Sequence, residues 1–492
     1  MNAKLNDPEL SLGKVPRKML IDGQWVNAAA GRAIDVFDPA TGKLIARVPE
    51  GDKEDIDSAV KAARRTFDQR TWLNLTPAER AKILWRVGDL IDRRAADIAS
   101  VETLDNGVPQ ALAQMTISGG AEAFRYYAGW ITKIHGTTST VSVPGAQFHS
   151  YTLREPVGVV GLIVPWNAPF ALACSKLSVA LAAGCSCVLK PAEETPLNAL
   201  VLGEILQEAG IPAGVVNIVT GFGHTAGAAL AAHPGVDKIG FTGSTEVGKL
   251  IVNAASGNLK KVTLELGGKS PMVAFDDADL EKTVAGAAMA IFTNSGQVCI
   301  AGSRLYVQRK LYEPVVEGLA GVAKGMKVGS GFDPNAQMGP LISEKQLTRV
   351  TSLIKSGLDE GAQVAAGGQR SEGSGYFVQP TVITGAKPTA RVMREEIFGP
   401  VICVQPFDDI DAVAAAANDT PFGLAASVWT RDVSKAHTMA KRLQAGNVWV
   451  NCHLVGDMSM PFGGYKQSGW GRESGLEGLD AYLQTKSVFV QL

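Results

Sequence analysis

Cys299 is the residue in this chain whose surroundings most suggest reactivity. It lies in "FTNSGQVCIAGSR", residues 292–304, a short polar stretch crowded with small residues between Gly296 and Gly302. A thiolate is a strong nucleophile, and small polar neighbours let a reactive loop come close to a ligand. An intracellular cysteine is more often inert than reactive, so the rest of the chain has to supply what Cys299 attacks and what activates it. Cys185-Ser186-Cys187 is too tightly spaced for a usual zinc knuckle and lies in an apolar run, which reads as packing. With Cys174, Cys403 and Cys452 the total is six cysteines in 492 residues, no disulfide framework, and six scattered histidines make no metal site.

Two glycine patterns bear on a phosphate-containing ligand. "GFGHTAG", residues 221–227, follows the strand-like "VVNIVTG" but places its third glycine one residue too far for the usual dinucleotide fingerprint. In "FTGSTEVGK", Gly243 and Gly248 bracket a turn from strand to helix, with Ser244 and Thr245 as candidate caps. Such a helix start offers unpaired N–H groups and a positive dipole end to a pyrophosphate. An ordinary capped helix has the same pattern, so neither stretch alone identifies a cofactor.

The elements that must position these residues alternate. "DIDSAVKAARRTFDQR" and "TPAERAKILWRVGDLIDRRAADIASVETLDNG" repeat apolar residues at helical spacing, the second opening on a Thr76–Glu79 capping box and stopping at Asn106-Gly107. From Gly158 onward, short β-branched runs ("VGVVGLIVPWN", "CSCVLKPAEETP", "GVVNIVTG", "KIGFTGS", "KKVTLELGG") are separated by helical patterns such as "NALVLGEILQEAG". This alternation predicts a parallel, doubly wound sheet with ligands at the carboxyl ends of its strands, and a second alternating region runs from about Pro271 to Pro461. "TSTVSVPGAQFHSYTLRE" reads as a hairpin around Pro144-Gly145 and "DAYLQTKSVFVQL" as a strand, and neither belongs in a parallel sheet. Exposed strand edges of this kind invite pairing with a second subunit, though a local antiparallel flap would read the same.

Bulk properties exclude several partners. Lys plus Arg number 47 against 48 Asp plus Glu, so no net field draws the chain to nucleic acid or an anionic membrane. No stretch approaches the ~18 apolar residues of a membrane span, and the first twenty residues mix charges and prolines without an apolar segment. The expectation is a cytosolic protein.

"VPWNAPF", "KPAEETPL", "FTGSTEVG", "VTLELGGKSP", "GQVCIAGSR", "EEIFGPV" and "PFGGYKQSGWGRE" occur in this order, and together they resemble the NAD(P)-dependent aldehyde dehydrogenase superfamily from about residue 20 to the end. The resemblance implies an α/β fold in three parts. A doubly wound, parallel-sheet NAD-binding domain spans 20–133 and 155–267, an α/β catalytic domain spans 268–467, and 134–154 with 480–492 form a small β oligomerisation element that makes a homo-oligomer, dimer or tetramer.

The resemblance also implies roles. Cys299 matches the nucleophile that attacks an aldehyde carbon to give a thiohemiacetal and, after hydride loss to a nicotinamide, a thioester. Asn167 matches the oxyanion donor, with the Cys299 N–H as the second donor. Glu265 matches the general base that hydrolyses the thioester, which favours a free acid over transfer to coenzyme A. Lys176 and Glu473 match residues that pass the proton outward, although a surface ion pair would look alike in sequence. Lys190 and Glu193 match contacts to the adenosine ribose, and a carboxylate there accepts from a 2′-hydroxyl but repels a 2′-phosphate, favouring NAD. Gly243, Ser244 and Trp166 match the pyrophosphate side, Gln346 and Glu396 the nicotinamide ribose, and Phe398 a residue beside the nicotinamide. No metal is implied.

For the substrate, family members that oxidise small aliphatic aldehydes carry bulky aromatic residues where this chain has Ala168, Ser175 and Gly456, which implies a wider tunnel. Phe170, Phe292 and Phe462 are candidate ring contacts, with core packing as the alternative for each. "RYYAGWITKIHGTT" and "NCHLVGDMSMPFGG", with His453 and Asp457 before "PFGG", are similar to phenylacetaldehyde dehydrogenases. The reading is oxidation of an arylacetaldehyde. A broad aliphatic or semialdehyde dehydrogenase, an esterase using Cys299 and Glu265, and a non-catalytic protein retaining the fold are the alternatives.

Overall fold

The β-branched runs after Gly158 pair into one sheet in the computed structural model, which describes residues 8–371 and 373–492. Residues 1–7, part of the opening stretch read as free of an apolar leader, lie outside the described residues. Five parallel strands stand in the spatial order Lys261–Glu265, Lys238–Thr242, Val159–Ile163, Ser186–Lys190, Val216–Ile218. Every residue of Val159–Ile163 and Ser186–Lys190 is buried, as expected of strands covered by helices on both faces. Short antiparallel strands flank this set, Gly469–Trp470 beside Lys261–Glu265 at one edge and Met19–Ile21 beside Val216–Ile218, with Gln24–Val26 beyond it at the other edge.

The chain winds outward from Val159–Ile163 through Ser186–Lys190 to Val216–Ile218, then returns to lay Lys238–Thr242 on the opposite side. Strand order therefore reverses next to Val159–Ile163. A crevice forms at the carboxyl ends of the strands at such a reversal.

A second, seven-stranded sheet has the order Gln363–Ala366, Thr381–Thr384, Val401–Phe407, Arg304–Gln308, Pro271–Ala274, Ala425–Trp429, Asn447–Val450, parallel except for its first strand. Its helix Leu280–Phe292 runs into the Cys299 stretch, which returns as the strand Arg304–Gln308.

The long helical pattern after Thr76 is two helices, Pro77–Arg93 and Ala95–Asn106, divided at Arg94 (φ −102°, ψ 7°). The Thr76–Glu79 capping box forms, with the Thr76 N–H donating to Glu79 Oε2 at 2.7 Å, and Gly107 ends the second helix in the left-handed region at φ 88°. The hairpin strand Phe148–Pro156 pairs with Thr138–Ser139 on one edge and with the terminal strand Leu483–Gln491 on the other, both antiparallel. Among the described residues no helix is long and apolar enough to cross a membrane.

Candidate active site

The strand reversal opens into a cleft of about 680 Å³ that gathers Trp166, Asn167, Gly243, Ser244, Cys299, Gln346, Glu396 and Phe398. Trp166 and Asn167 follow the central strand Val159–Ile163, while Gly243 and Ser244 follow its neighbour Lys238–Thr242. The second sheet's loops bring Cys299 and Glu396 to the same crevice.

The Cys299 loop is bent by its backbone. After Phe292 the chain turns through Asn294 (φ 49°), Ser295 (φ 56°) and Gly296 (φ 71°), and a Cβ on Gly296 would lie 2.1 Å from the carbonyl oxygen of Gly399. Two non-glycine residues in the left-handed region are costly, and surrounding contacts hold them. Ser295 Oγ donates to the Gly339 carbonyl at 2.8 Å, and the buried Gln297 accepts from the Ile342 N–H at 2.9 Å. Gly268 meets the loop from the other side, where a Cβ would lie 2.4 Å from the Cys299 carbonyl oxygen. Burial, then the charges of Glu396 and Glu265, push the Cys299 thiol up to about 12, against the N–H groups of Ile300 and of Cys299 itself.

Asn167 is clamped to this loop. Its side-chain amide donates to the Gln297 carbonyl at 3.0 Å, and its own carbonyl accepts from Asn294 Nδ2 at 2.8 Å. An amide donor is thus held on the segment leading into Cys299.

Glu265 ends its strand buried, at 3 % exposure, and neither carboxylate oxygen has a hydrogen-bond partner among the described residues. Burial first, and the Glu473 charge second, raise it well above the usual carboxylate range, against Lys176 and Arg472. Lys176 and Glu473 form an ion pair in which the lysine side chain is fully buried, so the surface-pair alternative does not apply to them. Phe462 exchanges two backbone hydrogen bonds of 2.7 Å with Glu473, which places it beside that pair.

Two expected ring contacts are corrected. Phe170 is 0 % exposed and packs with Cys174 against Gly120, and Phe292 is 2 % exposed in the core of the second sheet. Each occupies the apolar face of its own helix, Pro169–Ala183 or Leu280–Phe292, and offers no surface to a ligand. Ala168 and Ser175 are half-buried, and nothing lies within 4 Å of a Cβ built on Gly456.

The residues expected to contact a dinucleotide divide into two groups. Ser244 caps the helix Thr245–Ala255, accepting from the Val247 N–H at 3.3 Å, so the first-turn N–H groups open on the cleft. Lys190 Nζ and Glu193 Oε2 pair at 3.0 Å at the carboxyl end of the strand Ser186–Lys190, outside the residues lining the cleft. Burial pushes Glu193 up, yet the Lys190 charge and the N–H groups of Glu193 and Gly223 bring it below its usual value, so it stays an acceptor. This set fits a dinucleotide: anion-binding N–H groups at one helix start, and a charged acceptor beside a lysine two strands away. Glu396 accepts from the Gly268 N–H at 2.9 Å, and burial lifts its carboxyl to about 7. Gln346 donates to the Ile397 and Phe398 carbonyls at 3.2 and 2.7 Å, holding that loop, and the Phe398 ring (φ 56°) meets Trp166 edge-on at 5.2 Å.

Sequence reading missed Arg349, which lines the cleft and donates to the Glu396 carbonyl at 2.7 Å. Its position three residues after Gln346, on one face of the helix Glu344–Asp359, was the available signal. Asn106, which donates to the Trp166 carbonyl at 2.7 Å, gave none.

The model of the aldehyde dehydrogenase family matches residues 25–488. The phenylacetaldehyde dehydrogenase of Pseudomonas fluorescens is 45 % identical over 496 residues, covering 100 % of this chain and 98 % of the relative. Retinal dehydrogenase 2 of Homo sapiens is 46 % identical over 478 residues, covering 96 % of this chain and 92 % of the relative. An NAD+ complex of an aldehyde dehydrogenase from Bacillus cereus superposes with a TM-score of 0.95 at 47 % identity, covering 98 % of both chains.

Proposed function

Because the chain belongs to the aldehyde dehydrogenase family and is an NAD-dependent aldehyde dehydrogenase, we propose that Cys299 and Glu265 divide its reaction into acylation and hydrolysis, and that its substrate is an arylacetaldehyde such as phenylacetaldehyde. Cys299, its thiol proton given up to water, forms an Sγ bond to the aldehyde carbon while the carbonyl oxygen becomes an oxyanion held by the Asn167 amide and the Cys299 N–H. The chemistry that bound NAD would supply here is a hydride acceptor for this carbon. Opening of the thioester adds the hydroxyl of a water to the acyl carbon and breaks the C–S bond, releasing the acid and the Cys299 thiolate, while the remaining water proton passes to Glu265 and on towards the Lys176–Glu473 pair.

The observation that carries this division is Glu265. A buried carboxyl whose two oxygens bond to nothing among the described residues, and whose charge is felt at Cys299, is a free acceptor for a water proton. Structural carboxylates at such depth are otherwise hydrogen-bonded. Trp166, Gly243, Ser244, Gln346, Glu396 and Phe398 hold the nicotinamide and phosphate side of NAD, and Lys190 and Glu193 the adenosine ribose.

The substrate rests on the small residues Ala168, Ser175 and Gly456, on Phe462 beside the Glu473 strand bridge, and on the likeness to the phenylacetaldehyde dehydrogenase. Measured kcat/KM across acetaldehyde, hexanal, benzaldehyde and phenylacetaldehyde tests it, and phenylacetaldehyde should lead. Acetaldehyde or a semialdehyde in front would return the broad-specificity alternative, and ester cleavage independent of NAD would mark the esterase as a second activity of the same residues.

We assign residues 20–133 and 155–267 to the NAD-binding domain and 268–467 to the catalytic domain. The protein is a cytosolic dimer or tetramer built through 134–154 and 480–492. Phe489 (62 % exposed) and Val490 (42 %) on the edge strand of the three-stranded sheet support this pairing surface. Light scattering with and without residues 483–492 tests it: a species no larger than one chain in the complete protein defeats the assignment.

A further inference from the structure

His453 lies in the loop after the strand Asn447–Val450 and is fully buried. Its Nε2 stands 2.7 Å from the carbonyl oxygen of Ile300, the residue after Cys299. A carbonyl only accepts, so Nε2 carries the proton. Burial lowers the ring's pKa to about 4, which leaves it neutral near neutral pH, and Nδ1 is then a bare lone pair, buried without a partner among the described residues.

An unpaired buried nitrogen lowers stability, and a phenylalanine at the same place would avoid that cost. What the imidazole offers in return is the bond to Ile300. The ring is also held: it packs against Trp449 with centroids 4.7 Å apart, and Trp449 Nε1 donates to the Val455 carbonyl at 2.8 Å. Ile300 bears directly on the chemistry, because its N–H favours the thiolate of Cys299 over the thiol.

We propose that His453 is a positioning residue for Cys299: its Nε2–H···O=C bond to Ile300 fixes the backbone so that the Ile300 N–H stays aimed at the Cys299 sulfur. This rests on the reading of Cys299 as the nucleophile. The loop before Cys299 is fixed by Ser295 and Gln297, and His453 fixes the loop after it. The reactive sulfur is then held from both sides by groups that never touch substrate.

His453→Phe keeps a ring against Trp449 and removes both the donor and the unpaired Nδ1. Its melting temperature should not fall, and NAD affinity should be unchanged. The NADH burst rate should drop by about tenfold, the change carried by one ordinary hydrogen bond, and alkylation of Cys299 by iodoacetamide should slow in parallel. His453→Gln, whose amide N–H reaches about as far as Nε2, should recover most of both rates. His453→Asn, too short to reach Ile300, should behave like His453→Phe and serves if the larger ring crowds the loop. A burst rate equal to that of the unmutated protein in the donorless variants, or a His453→Gln variant as slow as they are, overturns the proposal. Mapping the alkylated peptide distinguishes a deeper failure: label on a cysteine other than Cys299 overturns the nucleophile assignment and this inference with it.

Discussion

Around Lys190 and Ser244 the named binding groups are paired inside the chain, Lys190 with Glu193 and Ser244 with the Val247 N–H, while Thr242 Oγ1 beside them has no partner among the described residues. Around Cys299 the construction is the reverse. Among the described residues neither oxygen of Glu265 nor Nδ1 of His453 has a partner, and Asn294, Ser295 and Phe398 all sit at positive φ. The end proposed to bind NAD pairs its charged and capping groups, whereas the end proposed to react brings together unpartnered carboxylate oxygens, an unpartnered imidazole nitrogen and non-glycine residues at positive φ. Such features lower stability, and they persist where neighbouring contacts over-determine them and where the chemistry needs a free acceptor or an exposed sulfur. The difference teaches that a site for holding a ligand can be finished in advance, while a site for making and breaking bonds has to stay incomplete.

If that contrast is right, substitutions at the reacting end should damage rate far more than stability. Cys299→Ala should abolish aldehyde oxidation while NAD affinity is retained and stability changes by no more than about 1 kcal/mol, as for a residue outside the core. Assay of NADH formation beside calorimetry checks both halves, and substantial residual turnover, or equal loss from Cys452→Ala, would move the nucleophile elsewhere.

Glu265→Gln should lower steady-state turnover by roughly 10²–10⁴, the usual weight of a general base, yet preserve a burst of about one NADH per subunit. Burial and Glu473 raise the Glu265 carboxyl, and only its deprotonated form takes a proton from water. Turnover limited by hydrolysis should therefore rise as pH rises through that raised value, and the rising limb should vanish in Glu265→Gln. Rapid mixing that found no burst and no acyl-enzyme would show that Glu265 acts earlier.

Asn167→Ala removes the side-chain donor and should slow the burst itself by about 10²–10³, the effect of losing one oxyanion donor at roughly 2.7–4 kcal/mol. Unlike the Glu265 variant, it should leave hydrolysis of a preformed acyl-enzyme the faster step. An unchanged burst would leave Asn167 with its clamp on the Gln297 carbonyl as its whole contribution.

The smallest effect belongs to the binding end. The unmutated protein should use NAD more efficiently than NADP, and Glu193→Gln should narrow the ratio by roughly three- to tenfold, as expected for a repulsion of ~1 kcal/mol in a largely aqueous setting. Equal use of both cofactors by the unmutated protein would defeat the Glu193 argument, and a loss of rate as large as that in Asn167→Ala would erase the contrast between the two ends.

Much of this was legible in the residues. The Thr76–Glu79 capping box, the strand runs ending in turn residues and the Ser244 cap all depend on local spacing, and local spacing survives folding unchanged. The break at Arg94 was hidden because the apolar period runs through it almost unperturbed. Phe170 and Phe292 misled for another reason: adjacency in sequence to Asn167 and Cys299 says nothing about which face of a helix a ring occupies, and both rings face the core.

By itself the sequence determined the alternation of strands and helices, the motifs that match an aldehyde dehydrogenase, and Cys299 as the candidate reactive sulfur, because each depends on residue type and short-range order. Only the tertiary structure decided that the carbonyl of Ile300 meets His453, 153 positions along the chain, that the Glu265 carboxyl has no hydrogen-bond partner among the described residues, and that Lys176 pairs with Glu473 in the interior. Those are contacts between remote segments and the burial they create. Burial and charge proximity set the protonation of each group, and no spacing rule carries them.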